Sequence, residues 1–162
     1  MAVKVTGLKK FSKRLKTIEK KMSQKRGVHG RMVALYEAWV KRNINANGTM
    51  HDDSRLRWQK LSFATLEIRR TRKKSPTNST NILRDSGQLR QRWFRNISDK
   101  EGKLTNGQDY SKYHEDGPRK IKVFGKAKAT LPRRKIFPDD KQGRKIIEPV
   151  IKGFVKDVFI KS

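Results

Sequence analysis

The sequence predicts an α+β domain: basic amphipathic helices at the N-terminus, a small mostly antiparallel β-sheet, and a C-terminal helix packed on the sheet. Three observations lead there. Apolar residues recur at three- and four-residue steps at both ends of the chain. Strand-favouring side chains separated by turn signals cluster between residues 89 and 124. The intervening stretches are polar, basic and rich in turn formers. With 162 residues there is room for one domain around one modest core. Within it, 1–45 reads as helical, 46–82 as a loop-rich basic segment, 83–138 as sheet and basic arm, and 139–162 as a closing helix.

Leu8, Phe11, Leu15, Ile18 and Met22 put one apolar stripe on the first helix, whose other face is almost wholly cationic. Gly27 and Gly30 are expected to break it. Met32, Leu35, Tyr36, Trp39, Val40 and Ile44 carry a second helical pattern. Two such helices across a short turn are expected to lie antiparallel, face to face or both against the sheet. Asn45 to Arg57 has turn formers and no period, which predicts a loop. Trp58, Leu61 and Leu66 give a short apolar face of one or two helical turns. Arg69 to Thr80 is basic, polar and proline-bearing, and is expected to be an exposed mobile loop because it has nothing to bury.

Trp93 to Ile97, a piece around Leu104, and Ile121 to Phe124 read as strands, with turns at Asp99–Gly102 and Asn106-Gly107. Beyond a basic arm from Lys126 to Lys135, Pro138-Asp139-Asp140 supplies a helix start, since Asp caps free amides and opposes the dipole there. Ile146, Ile147, Val150, Ile151, Phe154, Val155, Val158 and Phe159 then form a wide stripe. Pro149 lies inside it, so a kink or restart is expected there. Trp58, Leu83, Leu89, Trp93 and Phe154 are the predicted core.

Forty-two Lys and Arg against fifteen Asp and Glu leave a formal net charge of +27, which makes an isolated compact monomer electrostatically costly at low salt. An acidic partner relieves that cost, nucleic acid first and an acidic protein surface next. With no cysteine there is neither a disulfide framework nor a thiolate metal site. No segment reaches the roughly 20 apolar residues needed to cross a bilayer, and Met1 to Val5 lacks a signal-like apolar run. The sequence therefore points to a protein kept in the cytoplasm until carried elsewhere.

His51-Asp52-Asp53 invites a metal or nuclease reading, but adjacent ligands cannot all converge from one loop, so a solvated loop is expected. Ser86-Gly87 lacks the preceding Gly-x pair of a nucleophile elbow, and no phosphate-cradling glycine loop is present. Neither an enzyme nor a cofactor nor a metal is predicted. In Leu83-Arg84-Asp85-Ser86-Gly87-Gln88-Leu89 the leucines can bury, Asp85 or Ser86 can cap a turn, and Gly87 can supply a backbone angle closed to bulkier residues. Tyr110, Tyr113 and His114 fall on one side of a short helical turn ended by Gly117, which reads as core packing with polar tips outward.

The cationic segments are 9–26, 69–74 and 119–135. The candidate contact residues are Arg69, Arg70, Arg72, Lys73, Lys74, Arg119, Lys120, Lys126, Lys128, Arg133, Arg134 and Lys135. Arg133 and Arg134 follow Pro132, and arginine on a stiffened segment suits a bidentate grip on carboxylate or phosphate. Sparse aromatics argue against base stacking, so any DNA is touched through phosphates without sequence readout.

Four segments, taken in order, resemble the virion morphogenesis (tail completion) family of tailed, Mu-like bacteriophages. They are Trp58-x-x-Leu61-Ser62-x-x-Thr65, Ile82 to Leu89, Tyr110 to Gly117, and Leu131 to Phe137. The family's Pro-x-Arg-Pro-Phe corresponds here to Pro132-Arg133-Arg134-Lys135-Ile136-Phe137-Pro138, which leaves open which arginine is equivalent. The resemblance implies a structural virion protein at the neck, joining tail to head as a homo-oligomeric ring of about six subunits around the DNA passage. Implied partners are further copies of itself, neighbouring neck, portal-adaptor or tail-terminator proteins, and genomic DNA without sequence preference. The implied location is the virion, after assembly in the host cytoplasm. From a different class, a non-specific nucleic-acid-binding protein of nucleoid or ribosome type accounts for the charge but not for the ordered motifs.

Overall fold

A computed structural model describes residues 8–73, 79–84, 87–123 and 127–160. The fold is α+β, with antiparallel strands and a C-terminal helix. Its elements are helices α1 (Leu8–Ser23), α2 (Arg26–Asn45), α3 (Phe63–Thr71), α4 (Gln88–Gln91), α5 (Ser111–Glu115) and α6 (Asp140–Phe159). The strands are β1 (Trp93–Ile97), β2 (Gly102–Asn106), β3 (Arg119–Val123) and β4 (Ala127–Leu131).

The first two helices divide at Gln24-Lys25, upstream of the glycines expected to break them, and Gly27 and Gly30 lie inside α2. Tertiary contact accounts for the shift. Asp99 in the β1–β2 turn accepts from the Arg26 backbone N–H at 2.8 Å, so a distant carboxylate caps α2 ahead of both glycines. His29 Nδ1 lies 2.8 Å from the Ser98 carbonyl and ties the same turn down. Gly102 lets the hairpin close on α2, for a Cβ there would come within 2.7 Å of Val33. α2 ends where Asn47 and Gly48 turn left-handed, at φ 53° and 78°, and Gly48 N–H returns to the Asn43 carbonyl.

One antiparallel sheet was expected, and two separate two-stranded hairpins are found. β1 pairs β2 with Trp93 opposite Asn106, and β3 pairs β4 with Arg119 opposite Leu131. Half of the stretch read as a basic arm is thus strand β4. Its apolar face is only Ala127, Ala129 and Leu131, two of them small side chains with weak strand preference set among lysines.

α6 is capped by Asp139, whose side chain accepts from Gln142 N–H at 2.8 Å. It is one continuous helix through Pro149, so the chain does not restart there. It packs chiefly along α2, and α2 in turn carries the β1–β2 hairpin. The expected seat of α6 across the sheet is therefore refined: α2 is the common wall. Nor do α1 and α2 form the expected face-to-face pair, since the main neighbour of α1 is α6.

The core gathers Trp39, Val40 and Ile44 of α2 with Trp58, Ile82, Leu89 and Ile136, and Leu83, Trp93 and Phe137 pack on its edge. Of the predicted core, Trp58 and Leu89 are buried and Phe154 is half-buried.

Candidate assembly and nucleic-acid surface

The segment from Arg133 to Phe137 is the strut that joins the sequence motifs. The Lys135 carbonyl accepts from Trp58 Nε1–H at 2.8 Å and from His51 Nε2–H at 2.7 Å. Arg134 N–H donates to the His114 carbonyl at 2.9 Å. Glu115 turns its carboxylate onto the Ile136 and Phe137 N–H groups, at 2.6 and 3.2 Å. Backbone polar groups in a core need such partners, and here they come from three distant segments.

This geometry corrects two expectations. His51 is 1% exposed, not part of a solvated loop. Its Nε2–H bond to Lys135 leaves Nδ1 unprotonated, and burial holds the ring below the usual histidine pKa. Arg134 is 6% exposed, so it is a buried strut residue and not an outward grip. Burial, and then the Arg69 guanidinium, lower its pKa, and its Nε meets no acceptor among the described residues. His114 beside it is buried as well, and desolvation followed by the Arg134 charge brings it to about 4.

Arg69 is the third correction. It sits on the last turn of α3 at 8% exposure and donates to the Ser79 and Asn81 carbonyls, at 3.2 and 2.8 Å. The expected loop therefore begins as helix, and its first arginine staples the chain beyond it. Asn47 completes that staple by accepting from Ile82 N–H at 2.8 Å.

The remaining candidates divide by exposure. Arg70, Lys73, Lys120 and Arg133 are exposed, while Arg72 and Lys135 are half-buried. Arg70 pairs with Glu67 at 3.5 Å, and Arg133 Nε–H reaches the Glu115 carbonyl at 3.1 Å. Arg119 and Lys128 are placed by register on the β3–β4 hairpin, with Lys128 opposite Lys122. Lys74 and Lys126 lie outside the described residues, as do Asp85 and Ser86, the two cap candidates. Among the described residues, two of the twelve basic candidates, Arg69 and Arg134, are core struts, and the exposed ones lie at α3, on the β3–β4 hairpin and at the strut's edge.

Glu37 was missed by sequence reasoning. It is buried in the middle of α2 and bridges Lys41 to Arg95 of β1. Burial alone would raise its pKa, but hydrogen bonds from Lys41 and Arg95 leave it lowered. A glutamate in a run of helical residues carries no signal of a cross-element partner.

Among the described residues, no group of three His, Asp or Glu could hold a metal ion, and no helix is long and apolar enough to cross a membrane. Asp52, Asp53, Asp139 and Asp140 line a shallow cleft of about 590 Å³ beside Lys135 and Lys141. Three of these are already engaged: Asp52 with Lys145, Asp53 with Arg55, and Asp139 as the α6 cap.

No protein-family model, curated protein or solved structure matches the chain.

Proposed function

We propose that the chain is a structural virion protein of a tailed phage, completing the tail at the neck as an oligomeric ring around the DNA passage. One observation carries the reading. The four segments that resemble the tail-completion family, dispersed over residues 58 to 137, meet at a single joint. Trp58 bonds Lys135, Arg134 bonds His114, and Ile82 and Leu89 share an apolar cluster with Ile136. An ordered series of motifs that serves one joint is what a shared scaffold requires, and it leaves contact chemistry to the exposed cations. The net charge of +27 supports partners that are acidic, whether neighbouring neck proteins or passing DNA.

That charge opposes association between copies in free solution. Light scattering on purified protein should therefore show monomers giving way to larger species as salt rises, since screening acts over about 8 to 10 Å near physiological ionic strength. DNA affinity should fall steeply with salt, and unrelated duplexes should compete equally. Monomer at every salt concentration, with one copy per particle in virions, would overturn the ring. Tight binding of DNA by the monomer would then favour the nucleoid-type alternative.

A further inference from the structure

Phe11, Leu15, Ile18 and Met22 of α1 follow one another at steps of four, three and four residues. That is the a/d repeat of a coiled-coil seam, narrower than the face a helix turns to a core. The seam is open: Phe11 is 61% exposed, Leu15 49% and Met22 42%. α1 lies against the body chiefly through α6, where Arg14 donates to the Phe159 carbonyl at 3.1 Å and Lys21 to the Asp157 carbonyl at 3.0 Å. These bonds hold α1 by one flank, where Ile18 is half-buried, and leave Phe11, Leu15 and Met22 exposed. A helix of 16 residues is marginal when isolated, so α1 gains most from a partner laid along it.

Charge identifies the partner. α1 carries seven lysines and arginines against one carboxylate, Glu19. A second copy would set two such helices about 10 Å apart, within a Debye length, and repel. The apolar residues of α1 fall alternately four and three apart, the knob spacing that a partner helix fills. We propose that the α1 seam docks an acidic amphipathic helix of another protein. The apolar a and d residues supply the contact, and the cations select against basic and self-partners. Ile151, Val155 and Phe159 of α6, spaced four apart, are exposed as well, and Phe159 is the residue whose carbonyl takes Arg14. The contact does not depend on ring formation.

The test uses the full chain and a labelled synthetic helix of about three heptads, with Leu at a and d and Glu at e and g. Saturable binding is expected by fluorescence anisotropy, together with slowed amide exchange in residues 8–23 of the unmodified chain. The double substitution Phe11→Gln, Leu15→Gln should weaken binding about tenfold or more while the melting temperature holds, because both side chains are exposed. Equal binding of a scrambled peptide of the same composition would overturn the proposal, reducing the effect to charge. So would unchanged affinity in the double variant. Self-association abolished by those substitutions would assign the seam to a second copy, and preferential binding to phosphatidylglycerol vesicles would assign it to lipid; either result overturns the proposal.

Discussion

The indole of Trp58 donates its Nε1–H to the Lys135 carbonyl at 2.8 Å, across 77 residues of chain. Its ring packs in the same cluster as Ile44 and Ile136, so one side chain supplies both apolar contact and a buried polar closure. Trp58→Phe keeps most of the contact and should cost about 1 kcal/mol for the lost hydrogen bond. Trp58→Ala should cost about 3 to 5 kcal/mol. Urea denaturation distinguishes them, and equal losses would show that the hydrogen bond contributes nothing.

Gly48 lies beneath that ring. A Cβ there would stand 2.1 Å from Trp58 Cγ, and the backbone φ of 78° is unfavourable for any side chain. Gly48→Ala should therefore lose about 3 kcal/mol or more, strain and overpacking combined. The near-UV circular dichroism of Trp58 should change with it. A variant as stable as the parent would mean that α2 does not end in this turn.

Arg133 and Arg134 should respond oppositely. Arg133 is exposed, and Arg133→Ala should shift stability by less than about 0.5 kcal/mol. Arg134 is buried, and Arg134→Ala should cost about 2 kcal/mol through the lost packing of its stem. Arg134→Met should hold stability, since apolar replacement of a buried charge is often neutral or better. It should also raise the His114 pKa, measurable by NMR titration, because Arg134 lowers it. A severe loss in Arg134→Met would show that the guanidinium itself is required for folding.

Acid should loosen this joint before it protonates most carboxylates. His114 and His51 both have folded pKa values below their ordinary one, chiefly through burial, with His114 at about 4. The unfolded chain then binds more protons than the folded one between about pH 6.5 and pH 4, so stability falls as pH falls through that window. It is fully present above about pH 6.5. Replacing His114 with Gln should flatten the melting temperature against pH there, and an unaltered slope would show that His114 does not carry the effect.

Periodicity located the elements whose patterns are local. The α6 start at Asp139, the β1 strand and the buried faces of Trp58 and Leu89 follow from capping chemistry, strand composition and apolar character within a few residues. Misreadings arose where a distant partner reassigns a residue. Arg69 and Arg134 look like surface cations because lysine- and arginine-rich runs are usually solvated, yet Arg69 finds carbonyl acceptors at Ser79 and Asn81. His51 was judged by its acidic neighbours in sequence, and its partner is the carbonyl of Lys135.

The sequence by itself determined the α+β class, the charge, the absence of cysteine chemistry and the two amphipathic ends, because these depend on composition and on spacings within single elements. Only the tertiary structure decided that the strands form two hairpins, that α2 is the common wall, and that residues 133–137 are a strut. It also decided that Phe11, Leu15 and Met22 of α1 stay exposed. An apolar stripe states that a surface favours burial, but what covers it depends on contacts between elements far apart in the chain, which no local spacing encodes.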